Sequence, residues 1–306
     1  MNMPDKYKSS VLVLMSTYNG QSFLSEQIES LLNQKDVELN ILVRDDGSQD
    51  GTHEILNEWQ QQGKLKWYTG ENLKPSNSFW DLLKNSESSD YYAFCDQDDV
   101  WLEDKLKVAI DALNQFSTDK PAMYFSSKRL VDADLNTIKD TKESPLLSLE
   151  EAFIYNPVTG CTLVMNDALR DIIISSGLST ISSLHDSWVY RICLSVGGHV
   201  FYDSNPHILY RQHGGNVVGH VGLLGRFKAF IKSIEQEGGT RSKVAGEIYV
   251  NYQQYLTEDS KQLLQELANY RSSFKTKFSL FFNPKMRTKS IMGAITFRLY
   301  LLLNKY

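Results

Sequence analysis

The sequence predicts an α/β protein, a parallel-type sheet flanked by helices with a helical extension at its C-terminal end. Three observations predict it. Short apolar runs alternate with amphipathic segments through the first hundred residues, the pattern of strands joined by crossover helices. The runs at 11–15, 39–43 and 91–95 each end in a polar cluster, and sheets of this kind bind ligands beyond the carboxyl ends of their strands. After Gly214-Gly215-Asn216 the pattern turns helical, with Leu263, Leu264 and Leu267 on one face. The expected division is a catalytic domain over 1–216 and a helical extension over 217–306.

The elements follow in chain order. Val11-Leu12-Val13-Leu14-Met15 reads as a buried strand, followed by a helix with Leu24, Ile28, Leu31 and Leu32 on one face. Leu39–Val43 is the second strand, and Ile55, Leu56 and Trp59 mark the second helix. Leu65–Tyr68 is a third strand, residues near 77–85 a third helix, and Tyr91–Cys95 a fourth strand. A helix is expected to start near Glu103. Beyond it, strands are expected at Ala122–Leu130, Cys161–Met165, Val200–Tyr202 and Ile208–Tyr210, with helices at Leu146–Tyr155 and Ser187–Val196. Gly197-Gly198 would end the last of these.

Composition narrows the classes. With 42% hydrophobic and 23% charged residues, the chain has the make-up of a globular protein rather than a disordered or fibrous one. Cys95, Cys161 and Cys193 lie far apart and form no metal-type or redox-type pair, which fits a reducing cytoplasm. Met1–Ser10 has no apolar core of signal-peptide length. No run of about 18 apolar residues suggests a membrane span. The net charge of −5 hides a split: residues 271–306 carry eight Lys and Arg and no Asp or Glu, leaving −13 on the rest. An acidic catalytic part argues against a nucleic-acid partner.

The chemistry sits in the polar clusters. Phe94-Cys95-Asp96-Gln97-Asp98-Asp99 brings three carboxylates within four residues at a strand end. Carboxylates that close repel unless a cation or hydrogen-bond donors share them, and hard oxygen ligands suit Mg²⁺ or Mn²⁺. A solvated acidic turn is the plainer reading. Ser16-Thr17-Tyr18-Asn19 offers hydroxyls and an aromatic face suited to a nucleobase. In Arg44-Asp45-Asp46-Gly47-Ser48, a carboxylate at a strand end can accept the imide N–H of uracil or thymine; Asp50 or Thr52 reads equally well as a helix N-cap. Asp186, in His185-Asp186-Ser187-Trp188, is either an N-cap or a general base. In Tyr210-Arg211-Gln212-His213, Arg211 could pair with a phosphate and His213 could ligate a metal. The chain has no phosphate-binding glycine loop ending in Lys-Ser/Thr.

Taken together, Thr17-Tyr18-Asn19, Asp45–Thr52, Asp96-Gln97-Asp98-Asp99, His185-Asp186 and Tyr210-Arg211-Gln212-His213 resemble, in order, the motifs of family 2 inverting glycosyltransferases of the GT-A fold. Cys-Asp-Gln-Asp-Asp-Val-Trp, His-Asp-x-Trp and Tyr-Arg-Gln-His-Gly-x-Asn are most similar to the rhamnosyltransferase-like subgroup. The resemblance covers roughly residues 10–216. It implies that Thr17, Tyr18 and Asp46, with Asp45 nearby, hold the base of a nucleoside-diphosphate sugar, that Asp96 and Asp98 meet the ribose and the metal, and that Asn19, Gln97 and Arg211 belong to the same nucleotide-sugar site. A Mn²⁺ or Mg²⁺ ion would lie on Asp98 with His213, Asp99 being the alternative ligand. Asp186 would be the catalytic base. The leading donor is dTDP-L-rhamnose, with UDP-glucose or UDP-galactose as alternatives, and a sugar nucleotidyltransferase is the competing class. The Gln-x-x-Arg-Trp signature of processive members is absent, which favours addition of one sugar per encounter.

The basic C-terminal stretch interleaves Phe and Leu with Lys and Arg, as interfacial helices do. Contact with an anionic membrane surface at the inner face of the cell membrane is expected, with a polyprenyl-linked saccharide as acceptor. The alternative is a helical hairpin packed on the catalytic part or across a homodimer.

Overall fold

The computed structural model describes residues 8–181, 184–212 and 240–306. Strand β1 (Ser10–Thr17), helix α1 (Leu24–Leu32), β2 (Glu38–Asp45), α2 (Thr52–Gln61), β3 (Lys66–Thr69), α3 (Lys74–Lys84) and β4 (Tyr91–Cys95) follow the expected alternation. All contacts among these four strands are parallel: β1 pairs with β2 and β4, and β2 with β3. The register sets Met15 beside Cys95 and Thr17 beside Asp45, so the three polar clusters emerge at one rim.

The sheet then departs from the parallel expectation. Its order is β3-β2-β1-β4-β8-β6-β9-β5, with β7 (Thr137–Asp140) paired to β6 (Ala122–Val131) off that path. Strand β8 (Val164–Asn166) runs antiparallel to both β4 and β6, and β5 (Val100–Trp101) antiparallel to β9 (His199–Arg211). Strands β6 and β9 are parallel. Reversing direction at β8 lets later segments return their ends to the rim where the acidic cluster emerges.

Several expected elements are redrawn. The two short strands around residues 200 and 209 are one strand, β9, whose register shifts opposite Ser126 and Ser127. The helix expected over 146–155 shrinks to α5 (Leu149–Ala152), because Leu147 takes a left-handed φ of 55° and Ser148 caps the turn. Cys161 belongs to a 3-10 turn, Gly160–Thr162, and not to the strand. The helix sought near Glu103 is α4 (Lys105–Leu113), preceded by β5.

Strand alternation divides the core between two faces of the sheet. Val11, Val13, Met15, Tyr91, Ala93 and Cys95 pack with α1, α2 and α4. Leu12, Leu14, Tyr92, Phe94, Met123 and Phe125 pack with α3, α6 (Asp167–Ser176) and α7 (His185–Ser195). Helices Thr240–Asn251, Glu258–Ala268, Phe274–Phe282 and Ile291–Leu302 contribute Ile248, Leu264, Leu280 and Phe297 to this second cluster. Trp188 on α7 donates from its indole to Tyr252 just beyond the first of them, fixing α7 from behind.

Candidate active site

At the end of β1, a junction of main chain and side chains fixes three loops together. Gln97 Oε1 accepts from Thr17 Oγ1 at 2.6 Å and Tyr18 N at 2.8 Å, and its amide donates back to Tyr18 O at 3.2 Å. Asn19 sits at a left-handed φ of 50°, which Asn tolerates. Its N–H donates to Ser48 Oγ at 2.8 Å, while its Oδ1 accepts from Gln49 N at 2.8 Å. A Cβ on Gly20 would fall 2.6 Å from Gln97 Oε1 and 2.7 Å from Thr17 Oγ1, so a larger residue would have to push this pair aside. Tyr18 stays 47% exposed, leaving its ring face open to a flat ligand.

The paired carboxylates after β2 have divided duties. Asp45 is fully buried and accepts from Gly47 N at 3.0 Å, Ser48 N at 2.9 Å, Ser48 Oγ and His53. Burial raises its pKa, but the Ser48 and His53 hydrogen bonds outweigh that and hold it below the usual carboxylate range. Its oxygens are occupied by the loop they shape. Asp46 pairs with buried Arg44, which also binds Asp81 at 2.9 Å and Glu71 O at 3.0 Å. Asp50, also read as a cap, accepts from Thr52 N at 3.1 Å ahead of α2, though Gly51 is the boundary residue.

The acidic cluster after β4 is the electrostatic centre. Ligand atoms of Asp96, Asp99 and Cys161 lie within 4.8 Å of one another. Withdrawal from water, Asp98 and Asp186 push Asp96 up to about 7, and burial with Asp98 and Asp96 puts Asp99 well above its ordinary value. Asp99 Oδ1 accepts from Arg211 N at 3.1 Å, while its buried Oδ2 has no hydrogen-bond partner among the described residues. Crowded carboxylates that resist ionising are what a divalent cation relieves, and the hard oxygen donors suit Mg²⁺ or Mn²⁺. Burial beside Asp99 and Asp96 keeps the Cys161 thiol protonated, so it does not supply a thiolate. Asp98 is half-buried in the same loop. His213 lies outside the described residues.

Arg211, expected to meet a phosphate, is directed elsewhere. It is 2% exposed, with Nε donating to Asp98 O at 2.8 Å, further bonds to Ala133 O and Glu26, and the guanidinium 4.5 Å from the Phe23 ring centroid. With each guanidinium nitrogen bonded within the protein, it clamps the acidic loop to β9.

Asp186 reaches this cluster from the other side of the sheet. It is the second residue of α7 and not its N-cap, which is Leu184. Its Oδ1 accepts from Ser187 N and lies 3.5 Å from Asn156 Nδ2, and Gly160 gives it a backbone hydrogen bond. Burial lifts Asp186 to about 6, despite bonds from Ser187 and the positive charge of Lys128. A carboxylate so tuned is ionised at neutral pH yet a stronger proton acceptor than a free one. His185 plugs the core beside it, 4.2 Å from the Phe79 ring, with burial depressing its pKa to about 3. It is therefore neutral.

The segment Thr159-Gly160-Cys161 ties the site together: Thr159 binds Lys128, Gly160 binds Asp186, and Cys161 abuts Asp96 and Asp99. A Cβ on Gly160 would lie 2.5 Å from His185 Nε2. Sequence reasoning missed Lys128. Its Nζ sits 2.5 Å from Thr159 Oγ1 and 4.9 Å from the Tyr210 ring centroid, forms no ion pair among the described residues, and lowers both Asp96 and Asp186. No local signal marked it, since Lys128 meets Thr159 and Tyr210 only through the fold. The geometry thus joins a cation-seeking acidic cluster, a proton acceptor and one lysine.

A family model described as glycosyl transferase family 2 matches residues 12–162. The dTDP-rhamnosyl transferase RfbG of Shigella flexneri is 33% identical over 236 residues, covering 70% of this chain and 77% of that protein. Among solved structures, residues 1–349 of S. aureus TarS in complex with UDP-GlcNAc align over 97% of this chain and 82% of theirs, at TM-score 0.59 and 18% identity. The mannosyltransferase PcManGT from Pyrobaculum calidifontis, in complex with GDP-Man and Mn²⁺, aligns over 98% and 89%, at TM-score 0.50 and 16% identity. The last two likenesses speak to the fold alone.

Proposed function

The chain belongs to glycosyl transferase family 2, with the GT-A fold, and we propose that it moves one L-rhamnose from dTDP-L-rhamnose to a saccharide hydroxyl, with inversion. It is a glycosyltransferase, and a Bacillus subtilis relative at 26% identity is named as a putative teichuronic acid biosynthesis glycosyltransferase, TuaG. The observation that carries the reaction is the meeting of Asp186 with Asp96 and Asp99 around Thr159–Cys161. The donor rests on RfbG, whose name specifies dTDP-rhamnose. A UDP-hexose donor is the alternative; a nucleotidyltransferase is disfavoured by the family.

Each residue has a task in this reading. Tyr18 offers its exposed ring to the base, and Asp46, steadied by Arg44, offers an acceptor to the base imide. Asp45 and Asn19 hold those loops in shape. Gln97 fixes the backbone of Tyr18 beside the ribose. Asp96, Asp98 and Asp99 would hold a divalent cation, with His213 as a further candidate ligand. When bound, the cation supplies positive charge to the departing diphosphate. Lys128 takes over the anion-facing role expected of Arg211. Asp186 accepts the proton of the attacking hydroxyl as the new bond forms, help typically worth about 10²–10⁴ in rate. The acceptor proposed is a polyprenyl-linked saccharide at the cytoplasmic face of the membrane.

A panel of dTDP-L-rhamnose, UDP-glucose and UDP-galactose, each with Mn²⁺ or Mg²⁺, tests this by thermal stabilisation and donor hydrolysis. Cation-dependent stabilisation by dTDP-L-rhamnose above the UDP-sugars is expected. A preference for a UDP-hexose would overturn the donor, and no response to any nucleotide sugar would overturn the reaction. Asp98→Asn should lose the cation response; an unchanged response removes Asp98 as a ligand.

A further inference from the structure

The last two helices show two unlike faces. Leu280, Phe297, Tyr300 and Leu301 are buried against the protein. On the first helix, Phe274, Phe278 and Phe282 stand on the outer side at a spacing of four, stacked with centroids 5.7 and 5.8 Å apart and exposed by 78%, 52% and 69%. On the second, Ile291, Ile295, Leu299 and Leu302 repeat at helical spacing and are likewise exposed. Among the described residues, nine of the thirteen exposed large hydrophobics fall between 274 and 303. Scattered apolar residues need no explanation, whereas a contiguous apolar face does.

We propose that this two-helix face docks on an anionic lipid surface, with the Phe274-Phe278-Phe282 ladder and the Ile291–Leu302 stripe entering the headgroup region. The helices thus both pack on the protein, by one side, and offer the other outward. Charge selects the occupant. The eight basic residues of 271–306 have no acidic neighbour in that stretch, whereas the rest of the chain is acidic. A second copy would have to set these like charges against each other across the dyad. A basic stretch that also carries an exposed apolar face fits acidic headgroups over acyl chains. At 9 and 12 residues the helices are far shorter than a span, and no described helix is long and apolar enough to cross a membrane. The surface mode of binding is the one left. Arg298, 6.0 Å from the Phe281 ring centroid, bridges the two helices and holds the outer faces together.

The inference rests on the proposed function only in taking the acceptor to be membrane-borne; the docking chemistry stands apart. Its test is flotation of the 306-residue chain with phosphatidylcholine vesicles, with and without about 30% phosphatidylglycerol. Expected is co-flotation only with the anionic vesicles, weakened at about 0.5 M salt. The triple variant Phe274→Ser/Phe278→Ser/Phe282→Ser should partition at least about tenfold less. Its melting transition and nucleotide-sugar response should match those of the parent, since these side chains face outward. Equal partitioning by parent and variant overturns the proposal. So does failure to float together with a dimer, seen by light scattering, that the variant abolishes. A parent that floats but responds to no nucleotide sugar leaves the docking face standing and removes the transferase roles.

Discussion

Replacing Asp186 with Asn should make the enzyme slower and the fold stronger, an unusual pairing that isolates the base. The sign follows from burial. In the unfolded chain the carboxyl titrates near its ordinary 3.8, and in the folded protein burial lifts it to about 6. A folded-state pKa above the unfolded one means that the native state binds the proton more tightly, so ionising the group above pH 6 costs stability. With about 1.4 kcal/mol per unit, that cost is roughly 2–3 kcal/mol at pH 7. It vanishes below about pH 4, where both states are protonated. The Asn variant never carries the charge. At pH 7 in chelator it should therefore melt higher by about 5 °C, at the roughly 2–4 °C per kcal/mol typical of larger domains. The gap should close between pH 6 and pH 4. Turnover of the variant should fall by about 10²–10⁴ with donor affinity retained. Urea or thermal melts at a series of pH values, paired with steady-state kinetics, make the comparison. A variant no more stable than the parent at pH 7, or a gap independent of pH, would refute the buried-base argument; undiminished turnover would refute the role itself.

The remaining tests probe the groups around it. In the parent, kcat/KM should drop about tenfold per pH unit below about 6, because a protonated Asp186 accepts nothing. Lys128→Met removes a charge that lowers Asp186, so the acid limb should move to higher pH and affinity for dTDP should fall more than affinity for thymidine. An unmoved limb with intact dTDP binding removes Lys128 from the site. Gly160→Ala must displace His185 and the start of α7; turnover should fall about 10²-fold at near-constant donor KM, and parental turnover would show that the contact yields freely. Arg211→Ala should cost about 2–3 kcal/mol in urea titrations, since it leaves the carbonyls of Asp98 and Ala133 without their donor, whereas half-exposed Glu26 is rehydrated. A loss confined to donor affinity would restore Arg211 to the phosphate.

Apolar strand runs, helical spacing and chain order were enough, by themselves, to predict the α/β architecture, the four leading strands and the rim on which the polar clusters emerge. These are largely local properties: a short apolar run bounded by turn residues and followed by helical spacing reads as a strand without knowledge of its partners. The ordered motifs also identified the family, because each keeps its polar side chains at a strand end or helix start. Tertiary structure alone decided which carboxylates are engaged. Asp45 and Asp46 are neighbours of identical chemistry, yet one is saturated by Ser48 and His53 and the other pairs with Arg44. The partners of Arg211, namely Asp98, Asp99, Ala133 and Glu26, could not be read from its neighbours because they stand 78 to 185 residues away. Lys128 was invisible for the same reason. Hydrogen-bond capacity is finite, and only packing between remote segments determines where it is spent.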